Sequence, residues 1–276
     1  MKAPPARAAS TPETGVSDAS EEAPVVSAHP SYKVLVVLPC YNEEANIGRL
    51  LNRIDDHLGE AQLRYQVVAV DDGSKDRSLA ILEEYSRKQP IHICRHVVNQ
   101  GLGTTIRDGL TYAASVADDK DIIVSMDADD THTPGLVPRM VRMIREGYDV
   151  VIASRYQPGG MVCGLTVGRR FVSWAASWMM RVVFPTRGVR DYTCGYRAYR
   201  ATALKAAMAK YGDHFMDQQG FQCMVDILLK MRRMPLIFGE VPMILRYDFK
   251  QGASKMRIAR TAYNTLRLLA LRRMGR

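Results

Sequence analysis

The run Val34-Leu-Val-Val-Leu38, followed by Pro39-Cys40-Tyr41-Asn42-Glu43-Glu44, decides the fold. Successive side chains of a strand point to opposite faces, so a short, wholly apolar run predicts a strand covered on both sides. The stretch from about Glu43 to His57 then reads as a helix, with Asn42 as its N-cap and two glutamates in its first turn. The same unit recurs downstream. Strand Gln66–Val70 leads through Asp71-Asp72-Gly73-Ser74 to a helix of about Asp76–Arg87, and strand Ile91–Val97 to a helix of about Gly103–Val116. Strand Asp121–Met126 leads to a helix of about Leu136–Glu146, and strand Asp149–Ala153 closes the series. Apolar strands alternating with helices predict an α/β fold, a mostly parallel sheet with helices on both faces. Ligands of such sheets sit beyond the C-terminal strand ends, so the residues after each strand carry the functional reading.

Outside this series the chain changes character. Residues 1–31 are rich in Ala, Pro, Ser, Thr and Glu and are expected to be disordered. The body spans 32–255. From Arg169 to Phe184 the apolar residues Phe171, Trp174, Ala175, Trp178, Met179, Val182 and Val183 form a stripe, with Arg169, Ser173, Ser177 and Arg181 along the opposite edge. Helices near Thr202–Lys210 and Gly220–Lys230 and strands at Leu236–Phe238 and Met243–Arg246 complete the body. Residues 256–276 read as a basic amphipathic helix, with Ile258, Ala259, Ala262, Tyr263, Leu266 and Leu269 on one face and Arg260 and Arg267 opposite.

Charge is unevenly placed. Of the 38 basic residues in this chain of net charge +9, eight lie between Phe249 and Arg276, where there is no acidic residue. A near-neutral body with a cationic tail points to an anionic surface. The five cysteines are scattered and never form CxxC, which predicts a reducing compartment without a disulfide framework or zinc site. No stretch has 18 consecutive apolar residues, so no transmembrane helix is expected, and no secretory leader is visible.

Strand Asp121–Met126 runs into Asp127-Ala-Asp129-Asp130. In extended chain, Asp127 and Asp129 project together, and paired carboxylates suit a hard divalent cation, Mg²⁺ or Mn²⁺, shared with substrate phosphates. The plainer reading is a solvated acidic turn. Asp71 and Asp72 offer acceptors to a base or ribose, or else belong to a turn and helix cap. Pro39 and Tyr41 suit the wall of a base site and Glu43 its polar edge, or else begin a helix. Each signal is weak alone; together they occupy three strand ends on one rim.

The segments Leu-Pro-Cys-Tyr-Asn-Glu-Glu-Ala-Asn-Ile, Val-Asp-Asp-Gly-Ser-Lys-Asp, Gly-Leu-Gly-Thr-Thr-Ile-Arg-Asp-Gly-Leu and Met-Asp-Ala-Asp-Asp resemble family 2 glycosyltransferases of the GT-A, Rossmann-like fold. Ser154-Arg155-Tyr156 with Pro158-Gly-Gly160, Arg169 with Ser173, Asp191-Tyr-Thr-Cys-Gly195-Tyr-Arg197 and Gly252-Ala-Ser-Lys255 resemble the dolichyl-phosphate mannose synthase and polyprenyl-phosphate glycosyltransferase branch. The resemblance runs from about residue 33 to 258. It implies that Pro39, Tyr41, Glu43, Asp71, Asp72 and Asp127 hold the nucleotide of a GDP- or UDP-linked sugar. It implies Mg²⁺ or Mn²⁺ on Asp127 and Asp129, with Arg155, Arg169, Ser173 and Lys255 on the phosphate of a lipid acceptor. Asp127, Asp129, Arg155 and Arg169 are the expected catalytic set.

The implied reaction is an inverting hexosyl transfer, of mannose or glucose, at the cytoplasmic face of a membrane. Peripheral attachment is expected through amphipathic interfacial helices, and there is room for a small membrane-protein partner. A lipid phosphate is already anionic and needs cations to place it. A hydroxyl acceptor on a glycan or glycolipid needs a general base, for which Asp191 or Asp130 is the candidate. Two positions depart from the family pattern. Thr131, after the extra acid Asp130, stands where relatives often carry Gln or Ser, and Phe249 stands where many carry Arg. Among other classes, a Mg²⁺-binding receiver domain is about half this length. No base-reading motif accompanies the basic tail, so no nucleic-acid partner is expected. Gly101-Leu-Gly103 lacks the third glycine of a dinucleotide fingerprint, and no GxxxxGK[ST] phosphate loop is present.

Overall fold

The computed structural model describes Met1 and residues 31–164, 167–220 and 222–246, except the side chains of 167–172. The expectations for the N-terminal segment before Ser31, for Lys255, for the 256–276 helix and for the side chain of Arg169 lie outside the described residues.

Among the described residues, seven strands form one sheet in the order β3-β2-β1-β4-β7-β5-β8. They are β1 (Val34–Cys40), β2 (Tyr65–Asp71), β3 (Ile91–Arg95), β4 (Ile122–Ser125), β5 (Val150–Ser154), β7 (Arg197–Arg200) and β8 (Phe238–Pro242). The short strands β6 (Met161–Cys163) and β9 (Ile244–Arg246) pair separately in parallel. The helices are α1 (Ile47–Glu60), α2 (Ser78–Ser86), α3 (Leu102–Val116), α4 (Val137–Arg145), α5 (Val167–Val183), α6 (Ala201–Tyr211) and α7 (Cys223–Met231). Val34–Leu38 are buried without exception, as are Ile122–Ser125 and Val150–Ser154, so both faces of the central sheet are covered. Helix α3 lies so close that a Cβ on Gly109 would meet Val37 Cγ1 at 2.6 Å, which explains glycine there.

Several details differ from the sequence reading, among them an unexpected short β6 and a β3 that ends at Arg95. Helix α1 begins at Ile47, not Glu43. Asn42 adopts a positive φ of 51° and turns the chain before the helix, so Glu43 and Glu44 precede its first turn. The sheet also has a member that periodicity missed. Strand β7 inserts antiparallel between β4 and β5, with Ser125 opposite Arg197 and Val150 opposite Tyr199. Its Arg-Ala-Tyr-Arg sequence lacks an apolar run because Arg197, though wholly buried, donates to the carbonyls of Met224 (2.6 Å) and Tyr192 (2.9 Å). Finally, the strand expected at 236–238 starts at Phe238 and runs to Pro242.

Candidate active site

Strands β1 and β2 end side by side, with Cys40 opposite Asp71. Their exit loops brace each other. The Asn42 N–H donates to Ser74 Oγ (3.0 Å), the Lys75 N–H to Asn42 Oδ1 (2.8 Å) and the Glu43 N–H to Ser78 Oγ (2.7 Å). Tyr41 and Glu43 are therefore held, half-buried, on one fixed loop, just after the half-buried Pro39 at the end of β1. Asn46 donates to Glu43 Oε2 at 2.9 Å.

The adjacent carboxylates Asp71 and Asp72 are both buried but differ in use. Asp72 accepts from the Gln100 and Gly101 N–H groups at 2.8 and 2.9 Å and meets His96 Nδ1 at 2.7 Å. It shapes the loop before α3. Asp71 Oδ2 accepts from the Ser74 N–H (3.3 Å), whereas Oδ1 is buried with no hydrogen-bond partner. A buried acceptor of this kind is costly until a donor reaches it.

Strand β4 is followed by the acidic turn. The Asp127 side chain is 43% exposed and Asp129 is half-buried, so both remain accessible. The turn is fastened at every step. The Asp127 N–H donates to His132 Nδ1 (3.0 Å), which leaves His132 Nε2 facing Asp127 Oδ2 at 3.7 Å. The Thr131 hydroxyl and N–H both donate to Asp129 Oδ1, at 2.7 and 3.2 Å. Tyr196 stacks on His132 and donates to the Thr133 carbonyl at 3.0 Å. Among the described residues no group of three or more His, Cys, Asp or Glu is placed to hold a metal ion. Two accessible carboxylates on a rigid turn suit Mg²⁺ or Mn²⁺ shared with phosphate and water, and do not suit zinc.

The second half of the site follows β5. Arg155 forms a two-pronged pair with Asp191, Nε to Oδ2 and Nη2 to Oδ1, both 2.7 Å. Its Nη2 also reaches Thr193 Oγ1 at 2.5 Å. Asp191 accepts further from the N–H groups of Arg155, Thr193 and Cys194. Burial by itself would raise the Asp191 carboxyl, but the Arg155 guanidinium and these N–H donors hold it below its ordinary value. Tyr156 lies beside Arg155 and Arg181, whose guanidinium carbons are 5.3 and 5.7 Å from its ring centre, and its hydroxyl meets Ser173 Oγ of α5 at 2.8 Å. Behind the pair, Glu240 accepts the N–H groups of Arg190 (2.6 Å) and Asp191 (2.7 Å) with Oε1, while Oε2 is buried without a partner.

Parallel strands β4 and β5 bring Asp127, Asp129 and Arg155 to the same rim. The 191–196 loop closes the gap: Ser125 donates to the Gly195 carbonyl (2.7 Å), and a Cβ on Gly195 would stand 3.6 Å from Asp127 Oδ1. Ser173 joins this half through Tyr156. Sequence reasoning missed the supporting roles of His132, Tyr156 and Glu240. Tyr156 sits within a segment already singled out and His132 lies two residues past the acidic segment, but Glu240 carries no sequence signal because its role depends on a loop 50 residues earlier.

The sheet is parallel but for one inserted antiparallel strand, and an accessible acidic turn shares its rim with the braced loops after β1 and β2. Residues 35–207 match the Glycosyl transferase family 2 pattern, and the chain belongs to that family. It is similar to the dolichol-phosphate mannosyltransferase of Pyrococcus furiosus, 31% identical over 236 residues, covering 85% of this chain and 62% of the relative. It therefore spans less than two thirds of that relative's length. The undecaprenyl-phosphate mannosyltransferase of Micrococcus luteus is 31% identical over 225 residues, with 81% of this chain and 87% of the relative covered. In fold the chain is similar to glucosyl-3-phosphoglycerate synthase from Mycobacterium tuberculosis, a structure containing Mn²⁺ and UDP. The TM-score is 0.65 at 20% identity, over 90% of this chain and 82% of that one.

Proposed function

We propose that the chain moves a hexose, most simply mannose, with inversion from a nucleoside-diphosphate sugar to a polyprenyl phosphate. One observation carries the choice of acceptor. Asp191 and Asp130, the two carboxyls a hydroxyl acceptor would use as base, are both buried and ion-paired to arginine. A phosphate acceptor needs no base; it needs fixed cations, and Arg155 is one, held by Asp191 with little freedom to turn. The two polyprenyl-phosphate mannosyltransferase relatives support the same acceptor.

On this reading the unpartnered Asp71 Oδ1 accepts an N–H of the base, with Pro39, Tyr41 and Glu43 around it and Asp72 holding the loop behind. Asp127 and Asp129 hold Mg²⁺ or Mn²⁺, which when bound neutralises charge on the departing diphosphate. Arg155, with Ser173 and the Arg169 and Lys255 positions of the family pattern, orients the acceptor phosphate. On this reading Asp127, Asp129, Arg155 and Arg169 form the catalytic set.

Helix α5 supports action at a membrane surface. Its polar edge faces inward: Ser173 meets Tyr156, while Ser177 Oγ and Arg181 Nε donate to the Arg190 carbonyl. Its apolar line Trp174, Trp178 and Val182 faces outward, 49%, 56% and 61% exposed. That inversion suits a helix lying in a lipid interface. No helix among the described residues is long and apolar enough to cross a membrane. Peripheral attachment on the cytoplasmic face, where nucleotide sugars and anionic lipids meet, follows from this reading.

The test is to incubate the full chain with Mn²⁺, GDP-mannose or UDP-glucose, and either undecaprenyl phosphate or undecaprenol. Mass spectrometry should find a hexosyl-phosphate lipid only with the phosphate. Product from the alcohol alone would overturn the assignment.

A further inference from the structure

Asp130 extends the acidic turn, yet it cannot act as a third metal ligand. Its carboxylate is 2% exposed and points away from solvent into helix α1, where Arg49 Nε meets Oδ2 at 2.6 Å and Arg53 Nη1 meets Oδ1 at 2.5 Å. Its backbone φ is +58°, a left-handed conformation that non-glycine residues adopt at a cost, Asp and Asn most readily. Both features act on the same turn. The left-handed residue reverses the chain between Asp129 and Thr131, and that reversal lets the Thr131 hydroxyl and N–H fasten Asp129 Oδ1. The two arginines then tie the reversal to α1.

Helix α1 is the element that follows the nucleoside loop. Glu43 accepts from the Asn46 side chain, and the Glu43 carbonyl accepts the N–H groups of Asn46 and Ile47 at its start. One turn further on, Arg49 and Arg53 hold the turn after β4. The helix therefore spans from the residues assigned to the base to those assigned to the metal. We propose that Asp130 is a positioning residue that fixes the metal-binding carboxylates relative to the nucleoside loop through the Arg49–Asp130–Arg53 clamp. Its effect is on the gain in nucleoside-diphosphate affinity that the divalent cation confers. This rests on the donor-site reading above.

The clamp uses charge-assisted bonds on both carboxylate oxygens. Removing its charge leaves two guanidiniums that are 43% and 27% exposed and readily hydrated, so Asp130→Asn should fold. Removing the outer support of a metal site weakens metal-linked affinity by about tenfold or more.

Calorimetry on the full chain would measure GDP and UDP binding with and without Mn²⁺, for wild type, Asp130→Asn and Arg53→Gln. The expected result is a loss of about tenfold in the Mn²⁺-dependent gain for Asp130→Asn and a smaller loss for Arg53→Gln. Metal-free nucleotide affinity should stay within about twofold for both. A variant that keeps the full Mn²⁺-dependent gain overturns the clamp. So does an equal loss with and without Mn²⁺, which a merely destabilised site would give. If Asp130→Asn does not fold, Arg53→Gln decides by the same criterion. A wild type that binds neither nucleotide more tightly with Mn²⁺ overturns the donor reading itself, and the clamp with it.

Discussion

Arg155 and Asp191 lie 36 residues apart and meet through two parallel hydrogen bonds of 2.7 Å, with the carboxylate wholly buried and the guanidinium side chain 14% exposed. Burial opposes the charge on each partner, yet the pairing keeps Arg155 above and Asp191 below its ordinary value. Asp191→Asn leaves a buried guanidinium without its counter-charge. Breaking such a pair costs about 3–5 kcal/mol of stability. The acceptor KM should rise by about 10–100-fold in the fraction that folds, while the donor KM changes little. Arg155→Lys should act on the acceptor in the same direction, because an ammonium cannot reproduce the planar fork. Steady-state kinetics in detergent would check both; an unchanged acceptor KM would separate the pair from acceptor binding.

The two accessible carboxylates after β4 predict a different pattern. Asp129→Ala removes the group that Thr131 fastens, and Asp127→Ala the one beside His132. Each should lower kcat/KM by at least about 100-fold, or roughly 2.7 kcal/mol at the transition state. Millimolar Mn²⁺ should not restore it. Thermal melts offer a second readout: nucleoside diphosphate with Mn²⁺ should raise the wild-type Tm and leave that of Asp129→Ala unmoved. Near-normal turnover of Asp129→Ala would remove the metal from its assigned position.

Much of this was legible because burial on both faces forces unbroken apolar runs. Val34–Leu38 and Ile122–Val124 are readable as strands without any structure, and the acids that follow them fall at the rim by geometry alone. Strand β7 was not legible, since a buried Arg197 that donates to two carbonyls looks like a solvated charge in sequence. The start of α1 was misplaced because Asn42, a good cap by type, instead takes a left-handed turn and reaches across to the Lys75 N–H. Asp130 looked like one more rim acid, and only its position against Arg49 and Arg53 shows that it faces inward. The general rule is that periodicity reports which faces are covered, whereas long-range polar pairing leaves no periodic trace.

Glu240 predicts a pH dependence of stability. Burial raises its carboxyl above the ordinary 4.5, partly offset by the Arg190 and Asp191 N–H groups. The folded chain thus holds this proton where the unfolded chain has lost it. The linked stability is fully present below about 4.5 and disappears as pH rises through the folded value. Glu240→Gln imitates the protonated form and keeps an acceptor for both N–H groups. Its stability relative to wild type should grow as pH rises above 4.5, by at most about 1.4 kcal/mol per pH unit, and then level off. Urea melts of both proteins from pH 4 to 8 would measure this. A difference that does not vary with pH would mean that Glu240 titrates alike in the folded and unfolded chain.

The outward line of α5 makes the last prediction. Trp174, Trp178 and Val182 recur every four residues on one side of the helix, whereas Met180 and Phe184 enter the core. Replacing both tryptophans by serine should therefore leave the melting temperature nearly unchanged, since half-exposed side chains contribute little to the core. Binding to vesicles should respond differently. Tryptophan is favoured at the lipid–water boundary, and removing two from a helix that lies in that boundary takes away apolar contact worth about 25 cal/mol per Å². Sedimentation with vesicles of neutral phosphatidylcholine isolates this contribution from the basic tail, whose attraction requires anionic lipid. Trp174→Ser/Trp178→Ser should lose most binding to neutral vesicles. Deletion of 256–276 should instead weaken binding chiefly to phosphatidylserine vesicles, and more so at low salt. Full binding of the double variant to neutral vesicles would place the lipid-facing surface elsewhere on the chain.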